Sequence, residues 1–396
     1  MKKAHILFSL IALLLPAFVF AQFSINGSLQ STVYSFENTD NLQQADFYQG
    51  AFLKFQHASL SNTYLNTGFL VLKRGNESWE ERVYNTYVDW KSDAKMFHVR
   101  LGRQFTYYGA IRGTLDGALL DVNLMQNRLN LKLFGGFDAP YDRKLAVTGG
   151  DSTAIGAMLS YKVLESTKVD VSYFQRKRND EVAWEQAAFA LNGRSFNDLY
   201  YQLQYDHDLL GDQYQGMRGR LTYYMDKWSF TGEYSNQRPR IMEDSFFRIF
   251  DIKAYTQVRG GLTYMLDQYQ LGLQYVFTNY SSDQGNQVIL TAANSWGLIG
   301  LIYQNGYAGD NLGVYGDIRY ALLPNLTVKL YSSYYSYERQ TTVISEDATS
   351  FSAGFEYKPL KNIILSAEAQ ESMNSYYDND FRGLFRLNYL LNFKSE

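Results

Sequence analysis

Residues 269–278 read Tyr-Gln-Leu-Gly-Leu-Gln-Tyr-Val-Phe-Thr. Tyr269, Leu271, Leu273, Tyr275 and Phe277 alternate with Gln270, Gly272, Gln274 and Thr278. Successive side chains on a strand point to opposite faces, so a period of two gives one apolar face and one polar or small face. The same period recurs along the chain. Leu199, Tyr201, Leu203 and Tyr205 interleave with Tyr200, Gln202, Gln204 and Asp206. Met217, Gly219, Leu221 and Tyr223 interleave with Arg218, Arg220, Thr222 and Tyr224, and Leu326, Val328 and Leu330 with Thr327, Lys329 and Tyr331.

Two kinds of connection separate these segments. Short turns fall at Ser61-Asn62, Asp93-Ala94-Lys95, Gln126-Asn127, Glu165-Ser166-Thr167, Met225-Asp226-Lys227, Leu266-Asp267-Gln268, Pro324-Asn325 and Pro359-Leu360-Lys361. Between them lie longer polar stretches rich in Gly, Asp and Asn, at 37–49, 136–152, 237–254, 280–293 and 372–380. Strands of spanning length, with short turns at one end and long loops at the other, predict an all-β chain folded as a transmembrane antiparallel up-and-down β-barrel. A soluble β-sandwich alternates in the same way but lacks this asymmetry. The expected strand number is about 18–20, with roughly 16 or 22 also open. The open count comes from residues 287–306, QVILTAANSWGLIGLIYQNG, which read either as a further hairpin or as a long loop.

The N-terminus carries Lys2 and Lys3, a mostly apolar run from Ile6 to Phe20, and Ala21-Gln22. These features predict a secretory signal peptide over 1–21, cleaved near Ala21-Gln22, and a barrel over 22–396. The run is shorter than the roughly 20 residues that a spanning helix requires. The destination expected for such a barrel is the cell outer membrane.

The chain has 396 residues with 34 Tyr, 26 Phe and no Cys. Lack of cysteine excludes a disulfide scaffold, a thiol nucleophile, thioether-linked haem and a lipoprotein anchor. The aromatic content favours strands and membrane-interface belts. A formal net charge of -3 gives no basic bias toward nucleic acid. No catalytic constellation, cofactor site or metal site stands out. Apart from His5, the histidines are His57, His98 and His207. Asp206-His207 pairs an acid with a base, but adjacent strand residues point to opposite faces. Gly149-Gly150-Asp151-Ser152-Thr153 has the residues of a loop end as much as those of a phosphate or nucleophile site.

Charges set the phase of the strands. With apolar stripes toward lipid, Arg100, Lys132, Lys168, Arg218, Arg220, Arg259, Arg319, Lys329, Arg382 and Arg386 face the lumen. Asp89, Asp121, Asp170, Asp206, Glu233, Asp317, Glu356 and Glu368 face it too. On the lipid face each would cost several kcal/mol near the midplane. Two readings stay open: neutralisation of these charges within the wall, or arginines such as Arg218, Arg220 and Arg259 forming a ladder that favours anions.

Phe381, Gly383, Phe385, Leu387, Tyr389, Leu391 and Phe393 form a terminal stripe. It resembles the last strand of outer-membrane β-barrel proteins, which implies recognition by the barrel-assembly machinery, although Lys394-Ser395-Glu396 follow the final aromatic residue. Gly102-Arg103-Gln104, a glycine-rich stretch and Asp116-Gly117 are similar to the loop-three region of substrate-selective porins and alginate-export-like barrels. The resemblance is to porin-like outer-membrane proteins of Gram-negative bacteria. It implies a connection that folds inward and constricts the pore, with Arg103, Arg112 and Asp116 as constriction candidates and residues 105–116 as the outer connection. Arg100 and Asp121 continue the inward faces of the flanking strands.

The function expected is a channel for passive diffusion of small hydrophilic solutes, with no enzymatic chemistry and a slight anion preference. Its partners are outer-membrane lipids, with a homotrimer or a partner protein also open. The alternative is a scaffold barrel that sheaths a multihaem cytochrome in an electron conduit. An outer-membrane enzyme or a surface-polysaccharide anchor is the third reading.

Overall fold

The computed structural model describes residues 23–38, 42–139, 142–144, 152–196, 198–239, 254–306, 309–338, 345–375 and 379–395. The expected signal peptide and Gly149-Gly150-Asp151 lie outside these residues.

The chain first lays down β1 (Phe23–Glu37), β2 (Gln43–His57), β3 (Thr63–Lys73), β4 (Glu80–Lys91), β5 (Phe97–Tyr108), β6 (Ile111–Leu124) and β7 (Leu129–Asp138). It continues through β8 (Ser152–Leu164), β9 (Thr167–Arg178), β10 (Glu181–Ser195), β11 (Leu199–Asp208), β12 (Gln213–Met225), β13 (Trp228–Gln237), β14 (Tyr255–Leu266) and β15 (Tyr269–Asn279). It ends with β16 (Gln284–Asn294), β17 (Gly297–Gly306), β18 (Asn311–Leu323), β19 (Leu326–Glu338), β20 (Ser345–Leu360), β21 (Ile363–Met373) and β22 (Asp380–Lys394). Each strand pairs with the next, and β1 pairs antiparallel with β22 from Ser24↔Lys394 to Ser35↔Gly383. The result is a closed 22-stranded barrel. Closure removes the unpaired edges that hydrocarbon does not tolerate.

The count is the upper of the expected values, and the two added strands are β16 and β17. They fill 287–306 with a hairpin turning at Ser295-Trp296. Their outward faces alternate as expected, with Leu290, Ile299, Leu301 and Tyr303 exposed. Their inward faces also carry Ile289, Leu298 and Ile302, so apolar residues occupy both parities and the period of two is blurred. Strand β16 likewise begins at Gln284, inside the expected loop 280–293, and β2 begins at Gln43, inside the expected loop 37–49.

The start of β1 and the end of β22 lie at the end with short turns, such as Asp226-Lys227, Asp267-Gln268 and Pro324-Asn325. Asp226 and Asp267 each hold a φ of 50° there. Asp tolerates that left-handed backbone because its short side chain bonds locally. The opposite end carries the long connections after β7 and β13 and is the extracellular end of such barrels.

One expectation needs correction. Residues 105–116 are not an outer loop. Strand β5 runs on to Tyr108 and β6 starts at Ile111, so only Gly109-Ala110 forms the turn. The register holds from Phe97↔Val122 through Tyr108↔Ile111.

Candidate functional site

This β5–β6 hairpin leaves the wall. Strand β5 pairs with β4 only from Lys91↔His98 to Thr86↔Arg103, and β6 pairs with β7 only from Leu124↔Leu129 to Leu115↔Asp138. Beyond those points the two strands remain paired only to each other. The tip lies against inward-facing residues of β8 and β9, strands that β5 and β6 do not adjoin in the sheet. The Ala110 N–H donates to Ser172 Oγ at 2.9 Å, and Ser172 shares the inward face of β9 with Asp170 and Arg176. The hairpin is therefore inside the barrel.

Directly opposed residues of an antiparallel pair share a face. Gln104, Thr106 and Leu115 form the face toward the wall and are 1%, 3% and 3% exposed. Leu115, with Ala110 and Leu119, meets inward residues Phe134, Ala154, Phe174 and Ala188 of β7 to β10 in a small apolar core inside the lumen. The Phe134 and Phe174 rings stack at 6.2 Å. Lys132 reaches over the Tyr108 ring at 5.4 Å. The opposite face carries Phe105 and Tyr107, each 60% exposed, with their rings stacked at 6.5 Å and the Arg112 guanidinium 5.0 Å from the Tyr107 ring. That face is left uncovered by the wall.

Two glycines allow this path. Gly109 holds a φ of 58° in the turn, and a Cβ there would collide with Ser172 Oγ, the atom that anchors Ala110. Gly102 holds a φ of 124° where β5 parts from β4, and a Cβ there would strike the Thr86 carbonyl. Neither position accepts a side chain without strain.

At the root, Arg103 and Asp116 form a two-point ion pair, Nε to Oδ1 and Nη2 to Oδ2, both at 2.7 Å. The side chains are 6% and 9% exposed. The pair has the parity of the lipid face and points away from the lumen. It is covered by residues 142–144, which take the place that β5 vacates on β4. Val83 N donates to Arg143 O at 2.7 Å, and Arg103 Nη1 donates to Lys144 O at 2.7 Å. Beside it the Lys144 ammonium bonds the Asp142 carboxyl and holds it below the usual carboxylate range. Arg103 and Asp116 are thus buried at the root of the hairpin, while Arg112 lies on its exposed face.

The remaining lumen charges are mostly neutralised. Asp89 takes Arg100 at 2.8 Å and His98 at 2.9 Å, and Asp121 takes Lys132 and Asn130. Arg218 pairs with Glu233 at 2.7 Å, Lys168 with Asp170 at 2.9 Å, Lys329 with Glu356 at 3.3 Å and Arg382 with Asp380 at 2.6 Å. Arg319 lies 3.8 Å from Asp317 with its side chain 67% exposed. The arginine ladder is interrupted, because Glu233 sits in register between Arg220 and Arg259. Among the described residues Arg112, Arg220, Arg259 and Arg386 carry no ion pair. Arg220 also lines a cavity of about 970 Å³ at the short-turn end, with Arg194, Tyr200 and Tyr224.

Asp206 is buried and bonded by Gln204, whereas His207 stacks on Tyr205 across a break in register, so they form no acid–base pair. Among the described residues no group of three or more His, Asp or Glu side chains could hold a metal.

No protein-family model matches the chain, and no curated protein matches it in sequence. Solved structures match over nearly its whole length. The P pilus usher (PapC) translocation pore is 9% identical over 93% of this chain and 99% of that one, with a TM-score of 0.54. OccK1 (OpdK) of Pseudomonas aeruginosa is 11% identical over 94% and 99%, with a TM-score of 0.48. OccAB3 of Acinetobacter baumannii is 10% identical over 94% and 99%, with a TM-score of 0.46. At such identities the likeness is one of fold, that of an outer-membrane β-barrel.

Proposed function

We propose that this outer-membrane barrel is a channel for passive diffusion of small hydrophilic solutes, narrowed by the β5–β6 hairpin. The observation that carries the reading is the hairpin's position: docked on the inner wall, it turns Phe105, Tyr107 and Arg112 toward the passage. A circular ring of 22 strands, about 4.8 Å apart and tilted about 40°, has a backbone diameter of about 44 Å. A hairpin packed face to face on the wall takes about 10 Å of it. The hairpin therefore constricts the passage without closing it. The same occupancy disfavours a sheath for a cytochrome, which needs the lumen for its partner.

The unpaired Arg112, Arg220, Arg259 and Arg386 support a slight anion preference, since fixed cations in a water-filled pore attract anions. Insertion by the barrel-assembly machinery belongs to the same proposal. Reconstitution of the refolded barrel in a planar bilayer tests it. Stepwise ohmic conductance, with a reversal potential in asymmetric KCl displaced toward the anion side, is expected. A folded, heat-modifiable barrel that conducts nothing would overturn the channel, and cation preference would overturn the selectivity.

A further inference from the structure

The inner wall of β18 and β19 carries a vertical series of tyrosines. Lys329, Tyr331, Ser333, Tyr335 and Tyr337 share the lumen parity of β19, opposite the exposed outward residues Leu330 and Tyr334. On β18 the lumen parity includes Tyr315, which lies directly opposite Ser333. Tyr331, Tyr315, Tyr335 and Tyr337 therefore occupy four successive two-residue steps. At about 6.8 Å per step they span about 20 Å along the strand direction.

Glycine on the neighbouring strand sets the attitude of the two central rings. The Tyr315 ring covers Gly300, where a Cβ would meet its Cζ and Cε1 atoms, and the Tyr335 ring covers Gly313 in the same way. A ring that occupies the space of a missing side chain lies along the wall, with its other face turned to the lumen. Each of the four tyrosines is half-buried, as that attitude requires. Their rims are polar: Ser333, Ser350 and Ser352 stand beside them, and the Tyr337 hydroxyl donates to Glu346 Oε2 at 3.2 Å. The cations at the lower end of this wall are matched by carboxylates: Lys329 bonds Glu356 at 3.3 Å, and Arg319, in register with Lys329, lies 3.8 Å from Asp317, which stands opposite Tyr331.

Flat aromatic faces with hydroxyl rims and a locally balanced charge suit one class of solute. A pyranose ring has an apolar C–H face that stacks on an aromatic ring, while its equatorial hydroxyls bond the polar rim. A chain of such rings repeats the contact at each step. We infer that Tyr331, Tyr315, Tyr335 and Tyr337 form a stacking track for neutral oligosaccharides along the lumen. The inference rests on the channel reading for its transport role, but the track binds sugar whether or not the pore conducts.

Two measurements separate the two claims. Titration calorimetry of the detergent-solubilised barrel with a neutral linear glucose hexasaccharide reads the track alone, and sugar-induced current block in a bilayer reads track and channel together. Binding is expected, weakened about tenfold by Tyr331→Leu, which uncovers no glycine, and retained by Tyr335→Phe, which keeps the ring. Polyethylene glycol of equal size should not bind. Absence of hexasaccharide binding to the folded barrel, or binding indifferent to Tyr331→Leu, overturns the track. Tighter binding of a hexagalacturonate than of the neutral glucan overturns the assignment to neutral sugars. Binding without conductance keeps the track and overturns the channel.

Discussion

Removing the Asp116 carboxylate should release the hairpin from its dock on the inner wall. Arg103 is 6% exposed and spends two of its donors on Asp116 at 2.7 Å. Asp116→Ala strands a buried guanidinium, a change that costs about 3–5 kcal/mol where one partner of a buried pair is lost. What else holds the tip is of the same size. The Ala110–Ser172 hydrogen bond contributes about 1 kcal/mol, and a large side chain such as Leu115 about 2 kcal/mol by burial. The docked and undocked states should then become comparably populated, while 22 paired strands keep the barrel intact. Single-channel recording should show flicker to a larger conductance level, and heat-modifiability on gels should be unchanged. Arg103→Leu combined with Asp116→Leu removes the stranded charge and should restore much of the quiet, narrower state. Asp116→Ala channels with wild-type conductance and noise would refute the role of this pair as the hairpin's fastening.

Three further outcomes follow from the geometry. Gly109→Val forces a β-branched residue to a φ of 58° and into Ser172, at about 1–3 kcal/mol, and should raise conductance by undocking the tip; equal conductance in a bilayer counts against it. Arg220→Glu with Arg386→Glu reverses two unpaired lumen cations and should move the reversal potential in asymmetric KCl toward cation preference; no shift would mean these arginines do not sample the ion path. Leu301→Arg places a charge on a lipid-facing position that is 49% exposed and should lower barrel stability by about 2–4 kcal/mol in urea titrations, whereas Gln304→Arg on the lumen face should be tolerated.

The barrel was legible in the sequence wherever its two faces meet different solvents. Strands such as β15 meet lipid on one side and a polar lumen on the other, so Tyr269 to Phe277 alternate cleanly. Legibility failed where the inner face is apolar. In β16 and β17, Ile289 and Ile302 blur the period, and the stretch read equally as a hairpin or as a long loop. In β6 to β10 the cause is different: Phe134 and Phe174 stand at lumen parity because the hairpin, through Leu115, covers them. That anomaly was the available signal for an inward element, since apolar side chains facing a water-filled lumen call for a cover. Arg103 and Asp116 were recognisable as a pair of opposite charges flanking glycines. Their orientation was not, because it depends on residues 142–144 filling the gap on β4, a long-range contact that no local pattern encodes.

The enclosure of the hairpin constrains the order in which the molecule can be built. Once β22 zips onto β1, the tip is surrounded by a continuous wall and can no longer be placed from the side. Its partners, however, all belong to the first half of the chain, and its farthest anchoring bond spans only 62 residues. Short loops close sooner than long ones, whereas the β1–β22 seam joins the two ends of the barrel sequence. The inner element can therefore dock while the sheet is still an open trough. A variant whose hairpin docks more slowly than the seam closes should shut over an empty lumen and trap its hairpin outside, giving two kinetically separated populations of barrel from one sequence.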